Sequence, residues 1–334
     1  MEKRKMNVVF IGGSITEGGA ASCTENRWVN LVGEYLKGLY TDREVKIINA
    51  GIGGTGSYFG VFRLKKDVIA HEPDMVFIEF AVNDMGAKSS PWVSAVCMEG
   101  IVRQLMRLKK IPVIIFVFTA SYHAEAVSSV HKKIAYYYNI PFVDIQDNVW
   151  KQIGRGDYKW EDIEVDEVHP NDRGHRLFAD MIIEAIGSDM YKFLAQPVPK
   201  EKTITGYDFI NPAMVSFQQA EFFGNWNERT YRKPRLGTVI TSCTPHDSLE
   251  FEFTGKCIGL YHVVSPDSGI LNVTIDGIDM GQVDLYKKGD TDYCLMSKFD
   301  LENKPHKMVI EISDRKNQES TGHSASIGWF LVDM

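Results

Sequence analysis

Short apolar, β-branched runs alternate with amphipathic stretches along the N-terminal part of the chain. Asn7 to Ile11, Val45 to Asn49, Met75 to Phe80, Pro112 to Phe118 and Pro141 to Val143 have strand length and composition. Between them, Trp28 to Leu39, Val93 to Lys109 and Ala124 to Tyr138 repeat apolar residues at three- and four-residue spacing, which predicts helices. A last helix follows Asn171, a good N-cap, and runs through Leu177, Met181 and Ile182 to about Leu194. Strands alternating with helices give a parallel sheet covered on both faces, so residues 1–196 are expected to form an α/β three-layer sandwich with five strands.

The pattern changes at Gln196-Pro197-Val198-Pro199-Lys200, where two prolines and polar neighbours read as a linker. Beyond it, Leu249 to Phe253, Ile258 to Val264, Leu271 to Ile275, Met308 to Ile312 and Ile327 to Val332 are strand-length apolar or alternating runs. Asp276-Gly277 and Asp267-Ser268-Gly269 supply turns. Residues 197–334 are therefore expected to form an all-β sandwich or jelly roll.

Composition narrows the partners. A formal charge of -7 without a Lys/Arg block argues against a surface for nucleic acid or anionic lipid. The longest apolar run, Ile111 to Phe118, is too short to span a bilayer, and Val8 to Ile11 is too short for a signal core, so a cytoplasmic chain is expected. The 5 cysteines include no Cys-x-x-Cys, which suits free thiols better than a disulfide or zinc framework.

Ligands of a doubly wound sheet collect at the carboxyl ends of its strands. The first strand ends in Gly12-Gly13-Ser14-Ile15-Thr16, which puts a serine hydroxyl at a turn apex; alternatively, Ser14 merely caps a helix. The second ends in Asn49-Ala50-Gly51-Ile52-Gly53-Gly54-Thr55-Gly56, whose amides can face negative charge. The glycines at 51, 53 and 56 also spell G-x-G-x-x-G, but Glu79 lies inside its strand and not at the tip where a dinucleotide site uses an acid. The third ends in Ala81-Val82-Asn83-Asp84, where the Asn83 amide can donate to an oxyanion or close an Asx-turn. Asp166-Glu167-Val168-His169 precedes the last helix, and the offset of three lets a carboxylate orient an imidazole base, or simply brace a loop. His175 reads as a helix-surface or packing residue, and zinc on Asp166, His169 and His175 lacks further ligands.

In this order the four blocks resemble the SGNH, or GDSL-type, hydrolase superfamily over residues 6–194. The resemblance implies a flavodoxin-like α/β domain, Ser14 as nucleophile, His169 as acid/base and Asp166 as its orienter. It further implies an oxyanion hole from the Ser14 and Gly54 amides and the Asn83 side chain, with no metal or organic cofactor. Gly13 stands where the family commonly has Asp, and Ala81 where it commonly has Gly. Two-domain carbohydrate O-acetyl esterases, with manno-oligosaccharide deacetylases among them, look similar, so the expected substrate is an acetylated oligosaccharide or other small ester. A lysophospholipase, thioesterase or short-chain arylesterase would use the same residues, and a noncatalytic glycan-binding protein is the reading from another class. Trp92, Tyr122, Trp160 and, in the second domain, Trp226 are candidate sugar contacts. The segment Asn225 to Arg235 is a candidate for reaching the cleft. Whether the chain forms a homo-oligomer stays open.

Overall fold

The computed structural model describes residues 3–86, 90–123, 127–231, 236–289 and 291–334. Two compact units emerge, Met1–Phe209 and Ile210–Met334. The first runs β1 (Arg4–Gly12), α1 (Ser14–Glu17), α2 (Trp28–Leu39), β2 (Arg43–Gly51), α3 (Ser57–Asp67), β3 (Met75–Glu79), α4 (Ala81–Gly86), α5 (Pro91–Met106), β4 (Val113–Phe118), α6 (Val127–Tyr138), β5 (Phe142–Asp144), α7 (Ile145–Arg155), α8 (Asp172–Ser188) and α9 (Met190–Phe193).

Among the described residues its sheet has 5 strands in the order β2-β1-β3-β4-β5, all parallel. Register puts Gly12 opposite Gly51 on one side and Glu79 on the other. The loops leaving these three positions carry Ser14, Gly54 and Asn83, so strand pairing alone gathers them at one sheet edge. β3 is buried at every position, as expected of a central strand covered by helices on both faces.

All five expected strands and the expected helices are present, with α1, α3, α4 and α7 added and boundaries moved. α3 carried no amphipathic signal because Ser57 to Leu64 are all buried, which erases the polar stripe. α7 starts where β5 stops: Asp144 is the last strand residue and also the N-cap, accepting from Asp147 N at 3.2 Å, so no turn residue marks the change. α5 begins at Pro91, with Ser90 as N-cap, ahead of the expected Val93. The last helix does not reach Leu194 unbroken; α8 ends at Ser188 and Asp189 caps the separate α9. The first residues of the expected Ala124–Tyr138 helix lie outside the described set.

The unit boundary falls at Phe209 and not in the proline segment at 196–200. Residues after those prolines are laced to α5. Asp208 takes Arg103 and Arg107 at 2.8 and 2.6 Å, and the buried Glu99 carboxylate accepts from Ile204 N, Thr205 N and Thr205 Oγ1 at 2.5 to 3.0 Å.

The second unit contains β6 (Pro212–Ser216), β7 (Glu221–Phe223), β8 (Asn227–Thr230), β9 (Thr238–Ser242), β10 (Ser248–Gly255), β11 (Ile258–Val264), β12 (Ile270–Ile275), β13 (Ile278–Asp284), β14 (Thr291–Lys298), β15 (Lys304–Ile312) and β16 (Ala325–Asp333). Two antiparallel sheets, β13-β12-β15-β10-β7 and β14-β11-β16-β9-β8 with β6 on β16, make the expected all-β architecture. Leu249, Phe251 and Phe253 alternate inward on β10, and Phe251 stacks on Phe330 of β16 at 3.8 Å. Asp276 and Gly277, both at positive φ, form the expected hairpin turn. Among the described residues no helix is long and apolar enough to cross a membrane.

Candidate active site

β1 delivers the chain into Gly12-Gly13 and α1 starts at once, placing Ser14 in a first helical turn whose amides lack intrahelical acceptors. The tight passage needs the first glycine, because a Cβ on Gly12 would lie 2.6 Å from the Glu79 carbonyl oxygen. Ser14 Oγ is 2.9 Å from His169 Nε2, across 155 residues of sequence. His169 Nδ1 lies 2.8 Å from Asp166 Oδ2, and Asp166 Oδ1 accepts from the amides of Val168 and His169, each at 2.7 Å. Burial pushes the Asp166 carboxyl upward, but the bonds from the His169 ring and these two amides outweigh it and hold it below the ordinary Asp value. With that carboxylate accepting the Nδ1 proton, Nε2 presents its lone pair to the Ser14 hydroxyl.

The hairpin carrying this pair closes on itself: Val165 N donates to His169 O at 2.9 Å, and Glu164 bridges Pro170. Trp160 Nε1 donates to Asp166 O at 2.9 Å, and Tyr122 N to Glu167 O at 2.9 Å, so aromatic residues brace it from below. Trp150 and Trp160 stack at 5.5 Å, and Tyr122 meets both edge-on. Trp160 is buried, so its ring supports the loop and presents no open face; Tyr122, 50% exposed, does.

Glu164 is 5% exposed and both its oxygens lack a hydrogen-bonding protein partner. Burial, with a smaller contribution from Asp166, pushes its pKa up to about 9. Its protonated form therefore belongs to the folded state. The stability this group contributes is complete below pH ~4.5, where the unfolded chain is also protonated, and declines as pH rises towards 9. Glu164→Gln is expected to raise stability on the order of 2 kcal/mol at pH 7 and to change little near pH 4. Thermal melts of both proteins across that range check this; a pH-independent difference would refute it.

Gly53 passes beside the serine: a Cβ there would sit 3.5 Å from Ser14 Cβ, and Gly53 N donates to Glu17 Oε2 at 2.9 Å. Gly54 adopts φ +74 and lies exposed. Asn49, at the end of β2, accepts from Gly51 N and donates to Thr16 O at 2.8 and 2.7 Å, tying this loop to α1. Asn83 lies against Gly13 so closely that a Cβ there would fall 1.8 Å from Asn83 Oδ1. Asn83 thus lies against the residue before Ser14, and Gly53, next to Gly54, lies against Ser14 itself.

Two supports, Glu79 and Arg63, escaped the sequence reading. Glu79, fully buried, accepts from Thr16 Oγ1, Thr119 Oγ1 and Gly13 N at 2.9, 3.1 and 3.4 Å; burial raises its pKa against these bonds. Arg63, on the unforeseen α3, donates to the Gly12 and Ala50 carbonyls at the ends of β1 and β2. His175 is a packing residue and is not on the helix surface: its Nδ1 accepts from Trp28 N at 3.3 Å and its Nε2 meets Gly19 O at 3.1 Å, which removes it from any ligand set. Among the described residues no group of three or more His, Cys, Asp or Glu is disposed to hold a metal.

Of the other candidate contacts, Trp92 is 39% exposed at the start of α5 and meets Tyr207 edge-on. Trp226 packs within the second unit, its indole donating to Ser248 O at 2.9 Å. Within the 225–235 segment, Arg232 to Arg235 lie outside the described residues.

Comparison with known proteins agrees with this architecture. A two-domain esterase active on acetylated mannans has a solved structure that matches with a TM-score of 0.85 at 25% identity, over 99% of this chain and 92% of that one. The same esterase co-crystallised with mannopentaose matches with a TM-score of 0.85 at 26% identity, over the same shares. An acetylxylan esterase of Geobacillus stearothermophilus is 26% identical over 209 residues, 54% of this chain and 93% of the relative. The GDSL-like lipase/acylhydrolase family model matches residues 10–177, a stretch that holds the β1 turn, the two glycine and asparagine loops and the Asp166–His169 hairpin. Half of the chain is covered by that match, and the chain belongs to the GDSL-like lipase/acylhydrolase family.

Proposed function

We propose that this protein is a serine esterase that removes acetyl groups from oligosaccharides, with Ser14 as nucleophile, His169 as general base and Asp166 as its orienter. The observation that carries this reading is the continuous chain from Ser14 Oγ to His169 Nε2 at 2.9 Å and from Nδ1 to Asp166 at 2.8 Å. Ser14 Oγ attacks the acetyl carbonyl carbon as His169 Nε2 takes its proton, and the charge that develops on the carbonyl oxygen meets the Ser14 and Gly54 amides and the Asn83 side chain. Collapse expels the sugar oxygen, which receives the proton from His169. Water, deprotonated by the same ring, then attacks the acetyl-Ser14 carbonyl and releases acetate, returning the proton to Ser14 Oγ.

The substrate class is supported by the mannan- and xylan-directed esterases that resemble the chain, and by a half-exposed aromatic ring beside the hairpin. Tyr122, rooted on two tryptophans, offers a flat face on which a sugar can stack. Acetate release from acetylated manno- and xylo-oligosaccharides should exceed hydrolysis of long-acyl nitrophenyl esters; the reverse preference would overturn the assignment. Tyr122→Ala should raise KM for the oligosaccharide about 3- to 10-fold, the equivalent of one aromatic contact, while leaving KM for nitrophenyl acetate unchanged.

A further inference from the structure

The oxyanion donors proposed above sit on separate segments, Gly54 in the loop after β2 and Asn83 within α4, and one buried carboxylate ties these segments together. Asp84 is 2% exposed. Its Oδ1 accepts from Ser57 N at 2.7 Å; its Oδ2 accepts from Ser57 Oγ at 2.6 Å and Ser94 Oγ at 2.7 Å. His131 Nε2, fully buried, stands 3.1 Å from that oxygen and 2.9 Å from Ser94 Oγ. His131 Nδ1 is buried without a hydrogen-bonding partner. Gly56 approaches so closely that a Cβ would fall 2.2 Å from Asp84 Oδ1.

The residue immediately after Asn83 is thereby bonded to the backbone of Ser57, close in sequence to Gly54, while α5 and α6 hold it from behind through Ser94 and His131. We infer that Asp84 is a positioning residue that fixes the separation of the Gly54 amide from the Asn83 amide, with Ser94 and His131 holding it in place. This rests on the proposed esterase reading. An oxyanion hole acts only when its donors lie about 2.7–3.1 Å from one developing charge, so loops free to shift independently would lose it without any change in substrate contacts. No substrate contact is assigned to Asp84, so its removal should lower kcat and leave KM in place.

The test uses Asp84→Asn and Ser94→Ala, alone and combined with Asn83→Ala, on nitrophenyl acetate. Asp84→Asn is expected to lower kcat about 10- to 100-fold with KM within about threefold, and Ser94→Ala about 3- to 10-fold in the same manner. In the Asn83→Ala background the Asp84→Asn factor should shrink at least about fivefold, because one of the groups it positions is already gone. Hydrogen exchange should quicken in both variants over residues 51–58 and 80–86 and stay unchanged over 165–170. Ser94→Ala keeps the test intact if Asp84→Asn fails to fold. A lowered Tm with kcat preserved, equal factors in both backgrounds, or unaltered exchange in the two loops would overturn the inference. Wild-type turnover reports separately on the esterase reading, and the exchange data stand whether or not that turnover is found.

Discussion

Asp166→Asn is expected to reduce kcat for acetate release by about 10⁴-fold while the protein stays folded. The carboxylate makes three bonds in the hairpin: two from the Val168 and His169 amides to Oδ1 and one with His169 Nδ1 to Oδ2. An asparagine can keep the first two through its own oxygen. Its NH₂ would then face Nδ1, forcing that nitrogen to accept, and the ring proton would move to Nε2, where it confronts the Ser14 hydroxyl with a donor and no lone pair. Geometry survives and basicity at the right atom does not. Circular dichroism and Tm should match the wild type, because the altered side chain is largely solvent-facing, 52% exposed. Activity within tenfold of wild type would show that the imidazole needs no such orienter here. Ser14→Ala, assayed in parallel, sets the floor.

Gly13→Ala is expected to lower kcat about 10²- to 10³-fold, as much as deleting an oxyanion donor. The added methyl would stand 1.8 Å from Asn83 Oδ1 and 2.5 Å from Asn83 Cγ, distances that no contact tolerates. Asn83 must move, and it is the amide assigned to the developing charge. Asn83→Ala should produce a loss of the same size, and the double variant should be little worse than either, since both act on one group. Adding the two losses in full would separate Gly13 from Asn83 and refute the coupling. The same contact leaves no room for a Cβ at position 13 while Asn83 keeps this place.

Much of this architecture could be read from residue order. β-branched runs gave the five strands of the first unit, and their carboxyl ends named the loops in which Ser14, Gly54 and Asn83 reside. The offset of three between Asp166 and His169 matched a hairpin that brings carboxylate and ring together. What stayed hidden is burial and partnership. In the sequence Glu79 is an acid inside a strand and Asp84 one past a strand's end; the Thr16 and Thr119 hydroxyls make the first an enclosed acceptor, and the packing of α3, α5 and α6 the second. Trp160 reads as a sugar platform by residue type, but its ring lies under the hairpin. Residues 200–209 look like the start of a second domain after a proline linker, yet the Asp208 ion pairs and the Glu99 bonds join them to the first.

The separation of 155 positions from Ser14 to His169 also bears on how the protein is made. On the ribosome the nucleophile emerges well before its base, which must wait until nearly the entire α/β unit has left the exit tunnel. The β1–β2–β3 pairings can form earlier, from segments much nearer one another, so a nascent chain would hold an ordered but inert elbow. On refolding from denaturant, esterase turnover should return as one of the last signals, after tryptophan burial. A chain released before His169 would lack both the base and α8, whose Phe178, Ile182 and Ile186 belong to the core.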